Sequence, residues 1–115
     1  MTNSLKSGDV VLVDLGMAAK VRPCVVFAPR PDSQRSLAIV APLTSESRGG
    51  DAEIAFPKPA WLNQACVLNL AGMLGVERVR ILRRLGPFPA DKFREAKAVL
   101  AKFLELKNPP AHPAA

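Results

Sequence analysis

"SLAIVAPLTSES", Ser36 to Ser47, is the stretch on which the reading of this chain turns. Its first half is aliphatic and partly β-branched, as strands are. Pro42 then withholds a ladder donor, which places it at an edge, a bulge or a strand's end. The run stops on Thr44 and Ser45, with nothing apolar after them. Two similar runs precede it. "GDVVLVDLG", Gly8 to Gly16, is bounded by glycines, and "RPCVVFAP", Arg22 to Pro29, is bounded by prolines. Three strands with short connections imply an antiparallel meander. In a meander the start of the second strand lies beside the end of the third, so Arg22 and Thr44 are expected to be neighbours.

Downstream, "SESRGGD" (Ser45 to Asp51) reads as a turn-rich loop and "AEIAF" as a short half-buried strand ended by Pro57 and Pro59. "ACVLNL" is a further strand candidate. "ERVRILRRLG" alternates through Arg78, Val79, Arg80 and Ile81 and loses phase at Leu82, as a strand with a bulge or sharp bend does. From Pro89 the period changes to 3.6: Phe93, Ala96, Leu100, Phe103 and Leu104 share a helical face, and Asn108-Pro109-Pro110 stops it. The expected fold class is α+β, mainly β: a small antiparallel barrel with a C-terminal α-helix. One domain over residues 1–107 and a disordered Pro/Ala tail over 108–115 are expected.

No apolar run reaches the length of a bilayer span, and "MTNSLKSGD" lacks a signal peptide's apolar region, so a soluble cytoplasmic protein with no membrane partner is expected. Cys24 and Cys66 each sit inside an apolar run, which suits buried reduced thiols. The net charge of +6 favours a polyanionic partner. The single histidine, His112, lies between alanine and proline near the C-terminus, and tyrosine is absent. A two-histidine nuclease, a Ser-His-Asp triad and a histidine-ligated zinc site all lack their parts. Phosphate loops and acidic metal-ligand spacings are missing too, so neither cofactor nor metal is expected.

What remains is arginine and hydroxyl chemistry. A guanidinium fork at Arg22 with hydroxyls at Thr44 and Ser45 makes a cradle for a phosphodiester, and would hold the added charge of a five-coordinate phosphorus most strongly. The same residues also fit a solvated strand edge followed by a turn. Arg78, Arg80, Arg83 and Arg84 read either as a phosphate track or as a solvated strand face. Trp61 reads as a lid over the core or as a stacking platform for a base.

In order and spacing, "GDVVLVDLG", "VRPCVVFAP", "IVAPLTS", "RILRRLG" and the terminal helix resemble the MazF/PemK (Kid) toxins of type II toxin-antitoxin modules, over about residues 7–106. That resemblance implies an SH3-like barrel, a homodimer and an acidic antitoxin protein. It also implies metal-independent endoribonuclease activity on single-stranded RNA, leaving 2′,3′-cyclic phosphate and 5′-hydroxyl ends. The family's catalytic arginine and threonine fall on Arg22 and Thr44, with Ser45 also facing the phosphate. Asn69 can hydrogen-bond a base, and with Ser45, Arg78 and Arg80 it is a candidate substrate-binding residue.

Two departures stand out. "GMAAKVRP" is shorter than the family's usual loop and lacks its Gly-x-Glu-Gln segment, and the usual Asp-Gln pair is replaced within Asn69, Leu70 and Ala71. Asn69 cannot accept a proton at neutral pH, which leaves Glu46 or Asp14 as candidate bases. Two alternatives stay open: a non-catalytic nucleic-acid-binding barrel, and a protein-targeting toxin of the CcdB kind acting on gyrase.

Overall fold

The computed structural model describes residues 5–16, 20–29, 37–47, 49–56, 59–62 and 65–106. The expected tail, with His112, lies outside the described residues. Among the described residues seven strands form: β1 (Asp9–Asp14), β2 (Val21–Ala28), β3 (Leu37–Thr44), β4 (Glu53–Phe56), β5 (Cys66–Asn69), β6 (Leu74–Glu77) and β7 (Ile81–Pro87). Helix α1 (Ala90–Phe103) follows. The expected meander is present: β1 pairs antiparallel with β2 (Val11 opposite Cys24) and β2 with β3 (Cys24 opposite Pro42). The strand order is β4-β5-β3-β2-β1-β7, with β6 added to β3. The two ends of that path are not paired to each other. The sheet is therefore curled and roughly barrel-like, but not closed.

Both faces of the central strands are buried, which is why "DVVLV" and "CVVFA" read as continuous apolar runs rather than clean alternations. One face carries Val10, Val25, Ala41, Leu43, Ile54, Leu68 and Leu70, covered by Phe88, Phe93 and Ala96 from the helix and its approach. The other carries Val11, Val13, Cys24, Val26, Ala38, Val40 and Val76, flanked by Leu5, Leu15 and Ile81. Each such Val or Leu contributes roughly 1.5–3 kcal/mol on burial. The first cluster, with its leucines and aromatics, stabilises the fold more than the second. Phe27 and Phe93 meet with ring centroids 5.0 Å apart, and Lys97 lies 4.9 Å over Phe93.

Gly8 and Gly86 are positions where glycine is required. Gly8 has φ +91 and ties three segments: its N–H donates to the Val26 carbonyl and its carbonyl accepts from Phe88 N–H, both at 2.8 Å. A Cβ on Gly86 would stand 2.5 Å from Trp61 Nε1, so the indole lies directly on the β7 backbone. Trp61 is half-buried against the helix-covered cluster, which is the lid role among its two readings. Asp9, buried at the start of β1, accepts from Lys6 N–H at 2.9 Å and pairs with Arg84 at 3.0 Å. That pair engages one of the four arginines read as a track.

Three details differ from expectation. The break in "ERVRILRRLG" falls earlier than Leu82: Arg78–Arg80 is a 3₁₀ turn separating β6 from β7. β6 itself was not foreseen, because only Val76 of its four residues points inward. The helix stops at Phe103 rather than near Asn108. Glu105 takes φ 59, its N–H bonds to Lys102 O at 3.0 Å, and Leu106 N–H bonds to Ala101 O at 2.8 Å. This is a Schellman cap built on a non-glycine residue. Phe103 and Leu104 are accordingly about half exposed instead of continuing the core face.

Burial pushes the Cys24 thiol up to about 12, with the Arg22 charge acting the other way, and burial raises Cys66 as well. A raised thiol keeps its proton when folded but ionises from its ordinary value of 9.0 when unfolded. Stability linked to Cys24 is therefore intact below pH 9 and lost as pH rises from there toward 12. Urea midpoints measured across that window are expected to fall more steeply for the unsubstituted protein than for Cys24→Ala. Equal slopes in the two proteins would contradict this.

Candidate active site

Alternation along three short segments sorts the site from the core. On β3, Leu43 points into the helix-covered cluster while Pro42 and Thr44 face the other way. On β5, Leu68 points in and Asn69 out; on β4, Ile54 points in and Glu53 out. Register then lines the outward residues up. Cys24 lies opposite Pro42, so Arg22, two residues back, comes level with Thr44, two residues on. Leu43 lies opposite Leu68, and Asn69 opposite Glu53. The result is a partly open cavity of about 430 Å³ lined by Arg22, Pro42, Thr44, Glu46, Gly50, Ala52, Glu53, Asn69 and Ala71.

Thr44 has two jobs in this geometry. Its Oγ1 accepts the Glu46 N–H at 3.1 Å, starting a turn at the end of β3. Its own O–H is left to donate toward a ligand. Glu53 pins the far side of the loop that follows: its Oε1 accepts from Ser47 Oγ at 2.7 Å and from Gly49 N–H at 3.1 Å. Arg22 is exposed, and among the described residues no carboxylate pairs with it. An arginine without a partner beside a hydroxyl can grip an anionic oxygen without first breaking an internal ion pair.

The cavity thus brings together Arg22, Thr44 and Asn69. Ser45 is exposed just past the strand end and does not line it. Arg80 lies elsewhere, lining a second cavity of about 290 Å³ with Asp14, Leu37, Leu74 and Glu77. There its Nη1 donates to the Asp14 carbonyl at 3.4 Å, and its Nε lies 3.9 Å from Glu77 Oε1. Arg78, on the same 3₁₀ turn, is half-buried and lines neither. Asp14 also sits in that second cavity, its Oδ1 accepting from Gly16 N–H at 2.9 Å, and does not line the cavity of Arg22. Glu53 and Ala71 were not foreseen at the site. Glu53 arrives only through the β4–β5 pairing, although the inward-outward alternation of "AEIAF" already marked it as facing away from Ile54. Among the described residues no three His, Cys, Asp or Glu side chains group to hold a metal ion.

The sequence profile of the family described as PemK-like, MazF-like toxin of type II toxin-antitoxin system matches residues 6–104. The chain belongs to this family. Solved structures of the family share its fold. A MazE-MazF complex from Deinococcus radiodurans superposes at TM-score 0.75 with 24% identity, over 92% of this chain and all of the other. An endoribonuclease in complex with its cognate antitoxin, from Mycobacterial species, gives 0.76 with 18% identity over 92% and 100% of the chains. The MazF-mt6 toxin of Mycobacterium tuberculosis gives 0.75 with 19% identity over 87% and 99%. No curated protein sequence matches the chain. Asn69, Leu70 and Ala71, the stretch that lacks the family's usual Asp-Gln pair, run from the end of β5 into the following turn. Leu70 is 1% exposed and packs in the core, while Ala71 leaves open space at the cavity wall. Among the described residues no helix is long and apolar enough to cross a membrane.

Proposed function

We propose that the protein is a metal-independent endoribonuclease toxin that cuts single-stranded RNA by attack of the ribose 2′-hydroxyl on the adjacent phosphate. The observation that carries this reading is Arg22, without an ion partner among the described residues, level with Thr44 in one open cavity of about 430 Å³. Arg22 presents a planar fork of donors to two phosphoryl oxygens, and Thr44 donates to one of them. Both bonds strengthen as negative charge accumulates on five-coordinate phosphorus, which is how binding becomes rate. Asn69, beside them, offers both a donor and acceptors to a base edge. Ser45, Arg78 and Arg80 lie outside this cavity and serve the RNA as it extends away from the cut. The family and its antitoxin-bound relatives support an acidic antitoxin as the protein partner, and a homodimer as the working assembly. The cytoplasm, where messenger RNA is reached, is the corresponding compartment.

A second reading, a barrel that binds RNA without cutting it, is favoured by one observation: "VLNLAGM", Val67 to Met73, where the family resemblance looks for an Asp-Gln pair, contains no carboxylate. The two separate cleanly. Purified protein incubated with mixed-sequence single-stranded RNA in EDTA is expected to give discrete fragments, unchanged by added magnesium. Salt-dependent binding with the RNA left whole would contradict cleavage and favour the second reading. Intact RNA with inhibited gyrase would instead mark a CcdB-like action.

A further inference from the structure

Transesterification needs somewhere for the 2′-hydroxyl proton to go. Among the described residues lining the cavity, Arg22 has no acceptor and Thr44 and Asn69 are neutral, so of these only the carboxylates of Glu46 and Glu53 can take it. Glu53 is committed to the loop, its Oε1 already accepting two hydrogen bonds, from Ser47 and Gly49. Glu46 differs. Two residues past Thr44, it is held by its own N–H to the Thr44 hydroxyl at 3.1 Å, and it is among the residues lining the same cavity. Among the described residues its carboxylate has no ion pair and no hydrogen bond. Asp14, the other acidic candidate, lines the separate cavity with Arg80.

We propose that Glu46 is the general base of this site. The proposal rests on the endoribonuclease reading. In the step, the Glu46 carboxylate takes the 2′-hydroxyl proton while the 2′-oxygen forms its bond to phosphorus. Arg22 and Thr44 hold the equatorial oxygens. The bond from phosphorus to the 5′-oxygen then breaks, and that oxygen takes a proton from solvent. Glu46 returns its own proton to solvent, so no atom or electron pair is left over. The cut chain carries a 2′,3′-cyclic phosphate on one side and a 5′-hydroxyl on the other. The family's acidic position is not needed in this arrangement. The carboxylate enters from the loop after β3 instead of from the end of β5.

The test uses the full-length protein and a short RNA spanning a mapped cut, with a copy carrying 2′-deoxyribose at the cut as an uncleavable probe of binding. Glu46→Gln is expected to slow cleavage about 10²- to 10⁴-fold and to flatten its fall in acid, while still binding the deoxy probe. Glu46→Asp should restore part of the rate and of the acid limb. Asp14→Asn, able to keep the Gly16 turn, should match the unsubstituted protein. The assignment is overturned if Glu46→Gln cleaves within about threefold of the unsubstituted protein with the same pH profile. It is equally overturned if Glu46→Gln loses the deoxy probe, since the residue then shapes the site rather than moving a proton. If Arg22→Ala abolishes cutting and Glu46→Gln does not, the base assignment falls and the endoribonuclease reading stands. If the unsubstituted protein leaves RNA whole, both fall.

Discussion

Arg22→Ala is expected to slow RNA cleavage by at least about 10²- to 10³-fold, the usual effect of deleting one preorganised donor at a developing oxyanion, with a larger loss for a charged fork. Folding should not change. Arg22 is exposed near the start of β2 and has no ion partner among the described residues, so its removal leaves no buried group orphaned. Arg22→Lys should recover little, because an ammonium cannot span two phosphoryl oxygens in one plane. Thr44→Val removes the donor and also the acceptor that holds the Glu46 turn, so it should slow cleavage more than Thr44→Ser, which keeps both. Single-turnover rates with saturating RNA check the series. Rates for Arg22→Ala within about tenfold of the unsubstituted protein would remove the charge-stabilising role from Arg22.

Leu68→Ala carries the largest expected loss of stability. Leu68 is 0% exposed, lies opposite Leu43 on β3 and Ile54 on β4, and holds the strand that presents Asn69 to the cavity. Truncation removes about three carbons of buried surface and leaves a void between three strands that cannot all move inward. The expected change is about 2–5 kcal/mol, a large part of the roughly 5–15 kcal/mol that holds such a domain together. At this size the melting temperature should drop by roughly 10 °C or more. Arg94→Ala, on the exposed side of α1, is the comparison and should stay within about 0.5 kcal/mol. Calorimetry or urea unfolding reads both. A Leu68→Ala protein as stable as Arg94→Ala would mean that β5 is not clamped as described.

How far the chain could be read from its residues depended on the range of the interaction involved. The meander followed from three adjacent runs with short connections, and its register brought Arg22 level with Thr44. That geometry is local: neighbouring antiparallel strands leave little freedom once their turns are placed. Thr44 and Ser45 end β3 in hydroxyls, but only Thr44 lines the cavity, so the hydroxyl row serves a turn and a site at once. The helix was legible in its period, but its end was not, since Glu105 occupies the left-handed position where glycine is the usual signal. β6 escaped because "LGVE" has a glycine inside it and a single inward residue, too short a pattern for either period. Glu53 and Ala71 reach the cavity through β4, β5 and the turn after β5, and nothing local marks which strand "AEIAF" will join. The four arginines of "ERVRILRRLG" could not be sorted by spacing alone. A 3₁₀ turn carries Arg78 and Arg80, of which only Arg80 lines the second cavity, and a buried Asp9 claims Arg84.

The central claim is that a guanidinium and a hydroxyl from two neighbouring strands suffice to make RNA's own 2′-oxygen the nucleophile. Mass spectrometry of the fragment ends, after incubation with the purified protein in EDTA, tests this most directly. The account predicts 2′,3′-cyclic phosphate on the upstream fragment and a free 5′-hydroxyl on the downstream one. Ends bearing a 5′-phosphate and a 3′-hydroxyl would show that water or a metal-bound hydroxide attacked instead, and would contradict it.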